Sequence, residues 1–168
     1  SLSEDYKHDL EIVIVDNAST DDTRKLLDRI HGAKIIRNSR NEGFLSASNQ
    51  GASEARGRNL LFLNNDTEVF PGAIASALHT LGDTDDAGAV AGKLIYPDGT
   101  LQEAGGIVWQ DGSCSGYGRG DDPFAGPYMY RRDIDYCSGA FLLTRRDLFG
   151  EMGGFDESFK PAYYEDTD

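Results

Sequence analysis

The sequence predicts an α/β fold in which a mostly parallel central sheet is wound with helices on both faces. Three observations carry that expectation. Strand-length runs at residues 11–15 and 59–63 are apolar almost without a break, the pattern of strands buried on both faces. Segments of helical period separate such runs, so the first hundred residues alternate β-α-β-α-β-α-β. Two of the strands run straight into acidic turns, Asp16-Asn17 and Asn64-Asn65-Asp66, at the carboxyl ends where open α/β sheets bind their ligands.

The elements follow in order. The first strand is the β-branched run Ile12-Val13-Ile14-Val15, closed by the turn formers and caps Asp16-Asn17-Ala18-Ser19-Thr20-Asp21-Asp22. A helix comes next, with Leu26, Leu27 and Ile30 on one face and acidic residues in its first turn. Residues 34–37 read as a short second strand. From Gly43 to about Arg56, the small residues Ala47, Ala52 and Ala55 with Phe44 and Leu45 suggest a helix packed closely on a sheet. Residues 59–63 form the next strand, and Pro71 opens a helix through about Leu81, since proline is tolerated in a first turn. Residues 89–96 read as one strand ending in the turn Pro97-Asp98-Gly99. Residues 110–133, rich in Gly, Asp, Tyr and Arg, have no firm period and read as a long irregular surface segment. A strand at 140–144, a short helix at 145–149, the pair Gly153-Gly154 and an aromatic-acidic end at 159–168 complete the pattern.

A chain of 168 residues suits one domain with one sizeable core, and 39% hydrophobic residues lie in the globular range. Sixteen basic against 29 acidic residues give a net charge of −13, which argues against nucleic-acid and anionic-membrane partners. A small phosphate ligand stays open, because backbone amides and a metal ion hold one locally. No apolar run approaches the ~18 residues of a membrane span, and no basic-then-apolar leader implies secretion. Cys114 and Cys137 lack the CxxC spacing of a zinc or redox site and read as ordinary small residues. The expected setting is the cytoplasm, at the inner face of a membrane if parts or partners outside this chain carry it there.

Asp66 follows the apolar run Leu60-Leu61-Phe62-Leu63, which fixes it at a sheet edge, with Asn64, Asn65 and Glu68 beside it. An oxygen-rich cluster without sulfur or histidine suits a hard cation, Mg2+ or Mn2+, rather than zinc. One or two carboxylates make an incomplete cage, to be completed by water and ligand phosphates. The same residues also read as a solvated turn or helix cap, and Asp16 as an Asx-turn or cap. Asn41-Glu42-Gly43-Phe44, followed by Ala47, Asn49 and Gly51, reads as a close approach permitted by glycine and leading into a helix. His8, His31 and His79 are scattered and make no metal spacing.

Three blocks, Val13-Ile14-Val15-Asp16-Asn17-Ala18-Ser19-Thr20-Asp21, Asn41-Glu42-Gly43-Phe44 and Phe62-Leu63-Asn64-Asn65-Asp66-Thr67-Glu68, resemble the family-2 glycosyltransferases of the A-type nucleotide-sugar fold. So does the end of the chain, Gly153-Gly154-Phe155-Asp156-Glu157 followed by Glu165-Asp166-Thr167-Asp168. The blocks come in the family's order and approximate spacing and cover nearly the whole chain. The resemblance implies a three-layer α/β/α fold in one domain over 1–168. Its Rossmann-like nucleotide-sugar half would span about 11–100, and the acceptor and catalytic half would begin at about 101.

It also implies roles. Asp16, with Asn17, stands where the family contacts the nucleobase of a nucleoside-diphosphate sugar, and Asn41 and Gly43 lie beside the base. Asn64-Asn65-Asp66 looks like the family's DXD motif, with Asp66 as metal ligand and Asn65 near the ribose. Asn64 departs from the aspartate often found there, which puts some metal affinity in doubt. Gly139 and Ala140 resemble the region that meets the donor sugar. Asp166 of the Glu165-Asp166 pair matches the catalytic base, its pKa raised by Glu165 and Asp168 through like-charge repulsion. Without the resemblance, residues 165–168 read as an acidic helix start. Arg131-Arg132 and Arg145-Arg146 read either as diphosphate contacts or as solvated charges, and Trp109, Tyr117, Tyr128 and Tyr130 either as acceptor-stacking rings or as packing.

The activity this implies is metal-dependent, inverting transfer of a sugar from a nucleoside-diphosphate sugar to a glycan or lipid-linked acceptor, in assembly of a cell-surface polysaccharide. The alternative is a non-catalytic nucleotide-sugar or glycan-binding module. A sugar nucleotidyltransferase would want a glycine-rich phosphate loop near its start, and a glycoside hydrolase two carboxylates flanking the bond. Against the family, the chain is expected to be a fragment lacking a first strand and helix and the C-terminal part.

Overall fold

The computed structural model describes residues 10–160 and 163–168. The chain divides into two compact units. The first takes in the chain up to Leu60 and the return segment from Arg145, ending in Glu165, Asp166 and Asp168; the second is Leu61–Thr144 with Thr167.

In the first unit, β1 (Ile12–Asp16) and β2 (Ala33–Arg37) form a parallel pair, in register from Ile12 opposite Ala33 to Asp16 opposite Arg37. Their connection holds α1 (Thr23–Leu27), which buries Leu27 and leaves Leu26 60% and Ile30 36% exposed. The expected amphipathic helix is therefore one short turn. Its first turn carries no acid, because Asp21 and Asp22 stand ahead of it. A helix this short has no independent stability and relies on its neighbours. The next helix, α2 (Gly43–Glu54), packs on β1 through small residues: Gly51 faces Val15 so closely that a Cβ there would stand 3.4 Å from its Cγ2. Leu45 is fully buried beneath it. At the far end of the unit, α4 (Arg146–Glu151) is tied to the loop before residue 59. The Arg146 N–H donates to the Arg58 carbonyl at 2.9 Å, and its Nε to the Gly57 carbonyl at 2.7 Å. Phe155 is buried and meets Phe149 edge-on, with centroids 5.1 Å apart.

In the second unit, α3 (Ala73–Asp83) presents Ile74, Ala77 and Leu81 at helical spacing to a core completed by Leu94, Phe141 and Leu143. Gly72, at φ 80°, is the N-cap, so Pro71 precedes the helix instead of opening it. β3 (Asn59–Leu63), β9 (Phe141–Arg145) and β4 (Ala89–Ala91) form a sheet in the order β3-β9-β4, with β4 and β9 antiparallel. The chain passes from the first unit to the second within β3 and returns within β9.

The expected strand at 89–96 is two strands with different partners. β4 pairs with β9, whereas β5 (Leu94–Ile95) pairs antiparallel with β6 (Leu101–Glu103) across the Pro97-Asp98-Gly99 turn. The break falls at Gly92, where a Cβ would stand 2.9 Å from the Phe141 ring. Beyond it, β7 (Gly106–Val108) and β8 (Cys114–Gly116) form a hairpin, and Gly126–Tyr128 is a 3₁₀ turn, so the segment 110–133 is irregular only in part.

The α/β composition is as expected, while the strands lie in small separate sheets instead of one central layer. Among the described residues, the strands fall into four small sheets; β1–β2 is parallel, while β4–β9, β5–β6 and β7–β8 are antiparallel. For β5–β6 and β7–β8 the reason is connection length: strands of two or three residues joined by tight turns can pair only as antiparallel hairpins, since a parallel pair needs a crossover of a dozen residues or so. Among the described residues, no helix is long and apolar enough to cross a membrane.

Candidate functional site

Asp16 ends β1 and is 3% exposed, its side chain wholly buried. Its Oδ1 accepts from the Ser19 N–H at 2.9 Å, so of the two local readings it is the turn, not the helix cap, that is realised. Its Oδ2 is buried, 3.7 Å from Arg24 Nε, and without a hydrogen-bond partner among the described residues. The Ser19 hydroxyl and then its N–H hold the Asp16 carboxyl below the usual carboxylate range, helped by the charges of Arg24 and Arg37 and opposed by burial.

The next residue organises the loops around it. Asn17 Nδ2 donates to Asn41 Oδ1 at 2.8 Å and to the Gly43 carbonyl at 3.1 Å. Asn17 Oδ1 accepts from the Glu42 N–H at 3.0 Å and from Asn38 Nδ2 at 3.1 Å. Asn41 Oδ1 also accepts from the Gly43 N–H at 2.9 Å. Asp16, Asn17, Asn41 and Gly43 are thus one constellation, sewn together where β1 ends and α2 begins. The bend that permits it is Ala18, a non-glycine residue at φ 65°.

Glu165 and Asp166 belong to the same unit and lie in a turn, not at the start of a helix. The Asp168 N–H donates to the Tyr164 carbonyl at 3.0 Å, and Glu165 Oε2 is buried without a hydrogen-bond partner among the described residues.

In the second unit, Asn64 to Thr67 is a turn closed by the Thr67 N–H donating to the Asn64 carbonyl at 3.2 Å. It holds Asn65 and Asp66 exposed at its corners. Ser138 to Phe141 is a second turn, with the Phe141 N–H on the Ser138 carbonyl at 3.2 Å and Gly139 and Ala140 at its corners. The Asn64 N–H donates to the Ala140 carbonyl at 3.2 Å, which fastens the two turns side by side. The sequence-derived residues of this unit, Asn65, Asp66, Gly139 and Ala140, therefore also stand together.

The sequence matches the family profile described as Glycosyl transferase family 2 over residues 1–153. The chain belongs to glycosyl transferase family 2. Among curated relatives, this family-2 chain is 31% identical over 163 residues to the O-antigen biosynthesis protein RfbC of Myxococcus xanthus, covering 92% of this chain and 13% of that protein. It is 26% identical over 196 residues to the N-acetylglucosaminyl-diphospho-decaprenol L-rhamnosyltransferase of Mycobacterium tuberculosis, covering 100% of this chain and 62% of that one. The chain thus spans only part of the length of these relatives. A crystal structure of GalNAc-T7 with UDP, GalNAc and Mn2+ superposes with a TM-score of 0.70 over 96% of this chain and 34% of that one. At 20% identity, that likeness is one of fold: the A-type glycosyltransferase fold.

The described residues of this family-2 chain hold little that binds a metal unaided. No group of three or more His, Cys, Asp or Glu side chains gathers among the described residues. The Asn64–Asp66 turn offers one exposed carboxylate and two amide side chains. That donor set fits a hard cation drawing most of its ligands from phosphate and water.

Other candidates are otherwise engaged. The Arg132 guanidinium stacks 3.9 Å over the Tyr117 ring, and Tyr117 meets Tyr128 edge-on at 5.2 Å. The Tyr128 hydroxyl donates to Asp121, which pushes its pKa up to about 12. Trp109 is 53% exposed, with its indole N–H on Ser115 Oγ at 2.9 Å. Sequence reasoning gave no role to Asn38 or Asn49. Asn38 Nδ2 also reaches Gln50 Oε1 at 2.9 Å, a tertiary pairing without a local signature. Asn49 stood in the Ala47-Asn49-Gly51 block, but only the structure shows its partner.

Proposed function

We propose that the chain carries the donor-binding and catalytic residues of a glycosyltransferase that moves a sugar from a nucleoside-diphosphate sugar to a glycan or lipid-linked acceptor, with inversion. Family membership supports the reaction class, and the relatives that assemble O-antigen and transfer rhamnose support a surface polysaccharide or its lipid-linked precursor as product. The observation that carries the site assignment is the Asn64–Ala140 hydrogen bond, which sets the Asp66 turn and the Gly139-Ala140 turn against one another. Nucleotide side and acceptor side divide at about residue 100 in this reading.

The chemistry follows from the residue types. The acceptor oxygen attacks the anomeric carbon as the bond from that carbon to the diphosphate breaks, and one in-line displacement inverts the centre. Asp166 takes the acceptor hydroxyl proton, since a hydroxyl is a poor nucleophile until a carboxylate removes its proton. Glu165 is its neighbour in the same turn. Asp16 offers its unpartnered Oδ2 as an acceptor at the base end, with Asn17, Asn41 and Gly43 shaping the loop around the base, and Asn65 lies near the ribose. Asp66 is the protein ligand for Mg2+ or Mn2+, which when bound supplies positive charge against the leaving diphosphate.

The test is calorimetric titration with UDP, dTDP and GDP, each with Mn2+ and then with EDTA. The expected result is binding of one nucleotide that needs the metal and is lost in Asp66→Ala; a folded chain that binds none of the three would overturn the donor-site assignment. Asn64 and the single carboxylate of its turn favour one other reading, a non-catalytic binding module. Asp166→Asn separates them: a transferase loses turnover and keeps donor binding, whereas a binding module has no turnover to lose.

A further inference from the structure

Midway along α2, Asn49 commits both ends of its side-chain amide to one residue 106 positions away. Nδ2 donates to the Phe155 carbonyl at 2.8 Å, and Oδ1 accepts from the Phe155 N–H at 2.9 Å. This is the two-bond exchange of an antiparallel residue pair, with a side chain standing in for one strand. The preceding residue leaves the space for it. Gly154 lies at φ +81°, and a Cβ there would stand 2.7 Å from Asn49 Oδ1. The junction is also held from its other side, by the Gly154 N–H on the Phe149 carbonyl at 2.9 Å and by the buried Phe155 ring against Phe149.

The chain beyond this clamp is ordered in the same direction. Asp156 Oδ1 accepts from the Ser158 N–H at 2.8 Å and so caps the 3₁₀ turn Glu157–Phe159. Lys160, one residue further, pairs with Glu157 at 3.0 Å, and its charge is also felt at Glu42. The Glu42 carboxyl is held below its usual range first by the Arg40 side-chain hydrogen bond, then by the charges of Arg40 and Lys160, with burial opposing. Glu42 is the N-cap of α2. The segment is thus anchored to the middle of α2 at Asn49, and the charge at its end acts on the N-cap of the same helix, next to Asn41 and Gly43.

We propose that Asn49 is a positioning residue: by clamping the Phe155 backbone it fixes the course of residues 154–160 along α2, and with it where the Glu165 and Asp166 carboxylates stand relative to the Asn17–Asn41 loops. The catalytic half of this proposal rests on the reading of Asp166 as the base. Asn49 acts through the backbone it holds and touches no reacting atom in this role.

Asn49→Asp is the sharpest variant, because it keeps shape and acceptor and turns an oxygen toward the Phe155 carbonyl. Asn49→Ala removes both bonds, and Leu45→Ala serves as the control, a buried truncation in the same helix that leaves the clamp atoms in place. Hydrogen exchange and donor turnover are measured on the polypeptide that carries this chain, with UDP-glucose, UDP-N-acetylglucosamine, dTDP-rhamnose and GDP-mannose as donor probes in the presence of Mn2+. Both Asn49 variants should speed exchange across 154–160 by about tenfold or more. They should lower kcat by about 10- to 100-fold at nearly constant donor KM, the signature of a misplaced group. Leu45→Ala should lower the melting temperature and keep kcat. Unchanged exchange at 154–160 in Asn49→Ala, or a kcat loss no larger than that of Leu45→Ala, would overturn the proposal. If the unaltered protein turns over none of the donors, the catalytic half fails with the glycosyl-transfer reading, and exchange alone decides the clamp.

Discussion

Asn17 and Asn41, 24 residues apart, are joined side chain to side chain at 2.8 Å, and that bond is one of four that use the full hydrogen-bonding capacity of the Asn17 amide. An asparagine so engaged fixes the loops on either side of it, at Asn38 and at Asn41 to Gly43. Asn17→Asp tests this with almost no change of shape. The new carboxylate would face Asn41 Oδ1 and the Gly43 carbonyl, two acceptors it cannot satisfy. The expected cost is about 1–3 kcal/mol of stability, read from urea unfolding. Nucleotide affinity should fall with it, because the loop loses its tie to Asn41 and Gly43.

Ala18 sits at φ 65°, where a Cβ is unfavourable. Ala18→Gly should stabilise the protein by about 0.5–1 kcal/mol, the relief of left-handed strain less the extra freedom of glycine in the unfolded chain. The denaturation midpoint checks it. A loss of stability would mean that the methyl group makes contacts worth more than the strain.

The depressed pKa of Asp16, caused first by the Ser19 hydrogen bonds, fixes the sign of its pH dependence. A carboxylate whose folded pKa lies below its unfolded value contributes stability above the unfolded value, about 3.9, and loses it as pH falls through the folded one. Stability attributable to Asp16 should be flat through neutral pH and decline only below about pH 4. Denaturation midpoints measured against pH should show part of that acid limb removed in Asp16→Asn.

Leu143 is 2% exposed within the cluster of Ile74, Ala77, Leu81, Leu94 and Phe141. Leu143→Ala should cost about 2–5 kcal/mol by leaving a cavity that its neighbours cannot fill. Calorimetric melting would report it, and a loss under about 1 kcal/mol would mean that the cluster collapses onto the gap.

The sequence made some of this legible because the signals were local. Ile12-Val13-Ile14-Val15 is a strand by composition alone, and residues 59–63 follow the same logic to within the observed limits. The grouping of Asp16 with Asn41 and Gly43, and of Asn65 and Asp66 with Gly139 and Ala140, came from the resemblance, and each group does assemble within its own unit. What stayed hidden was set by distant partners. The break at Gly92 answers to Phe141, 49 positions on, and nothing near Gly92 announces it. The β7–β8 hairpin had a local cue in Asp111-Gly112, flanked by Ile107-Val108-Trp109 and Cys114, but strands of three residues lie below the length at which alternation can be read. Leu26 and Ile30 misled for the opposite reason, since their spacing promised a buried helical face and, among the described residues, they stay 60% and 36% exposed.

The two crossings of the chain, within β3 and within β9, set an order of events at the ribosome. Residues 61–144 are contiguous and emerge as one piece, so the second unit can assemble early. The first unit is interrupted by them. Its β1–β2 pair and α2 are made first, yet Asn49 must wait until Phe155 has been synthesised before its amide finds a partner. Until then the Asn49 amide has only water to bond. The Asn17–Asn41 loops and the proposed base therefore join one unit only after the second unit has been made, and a nascent chain stalled before residue 155 would hold those loops without the Glu165 and Asp166 carboxylates.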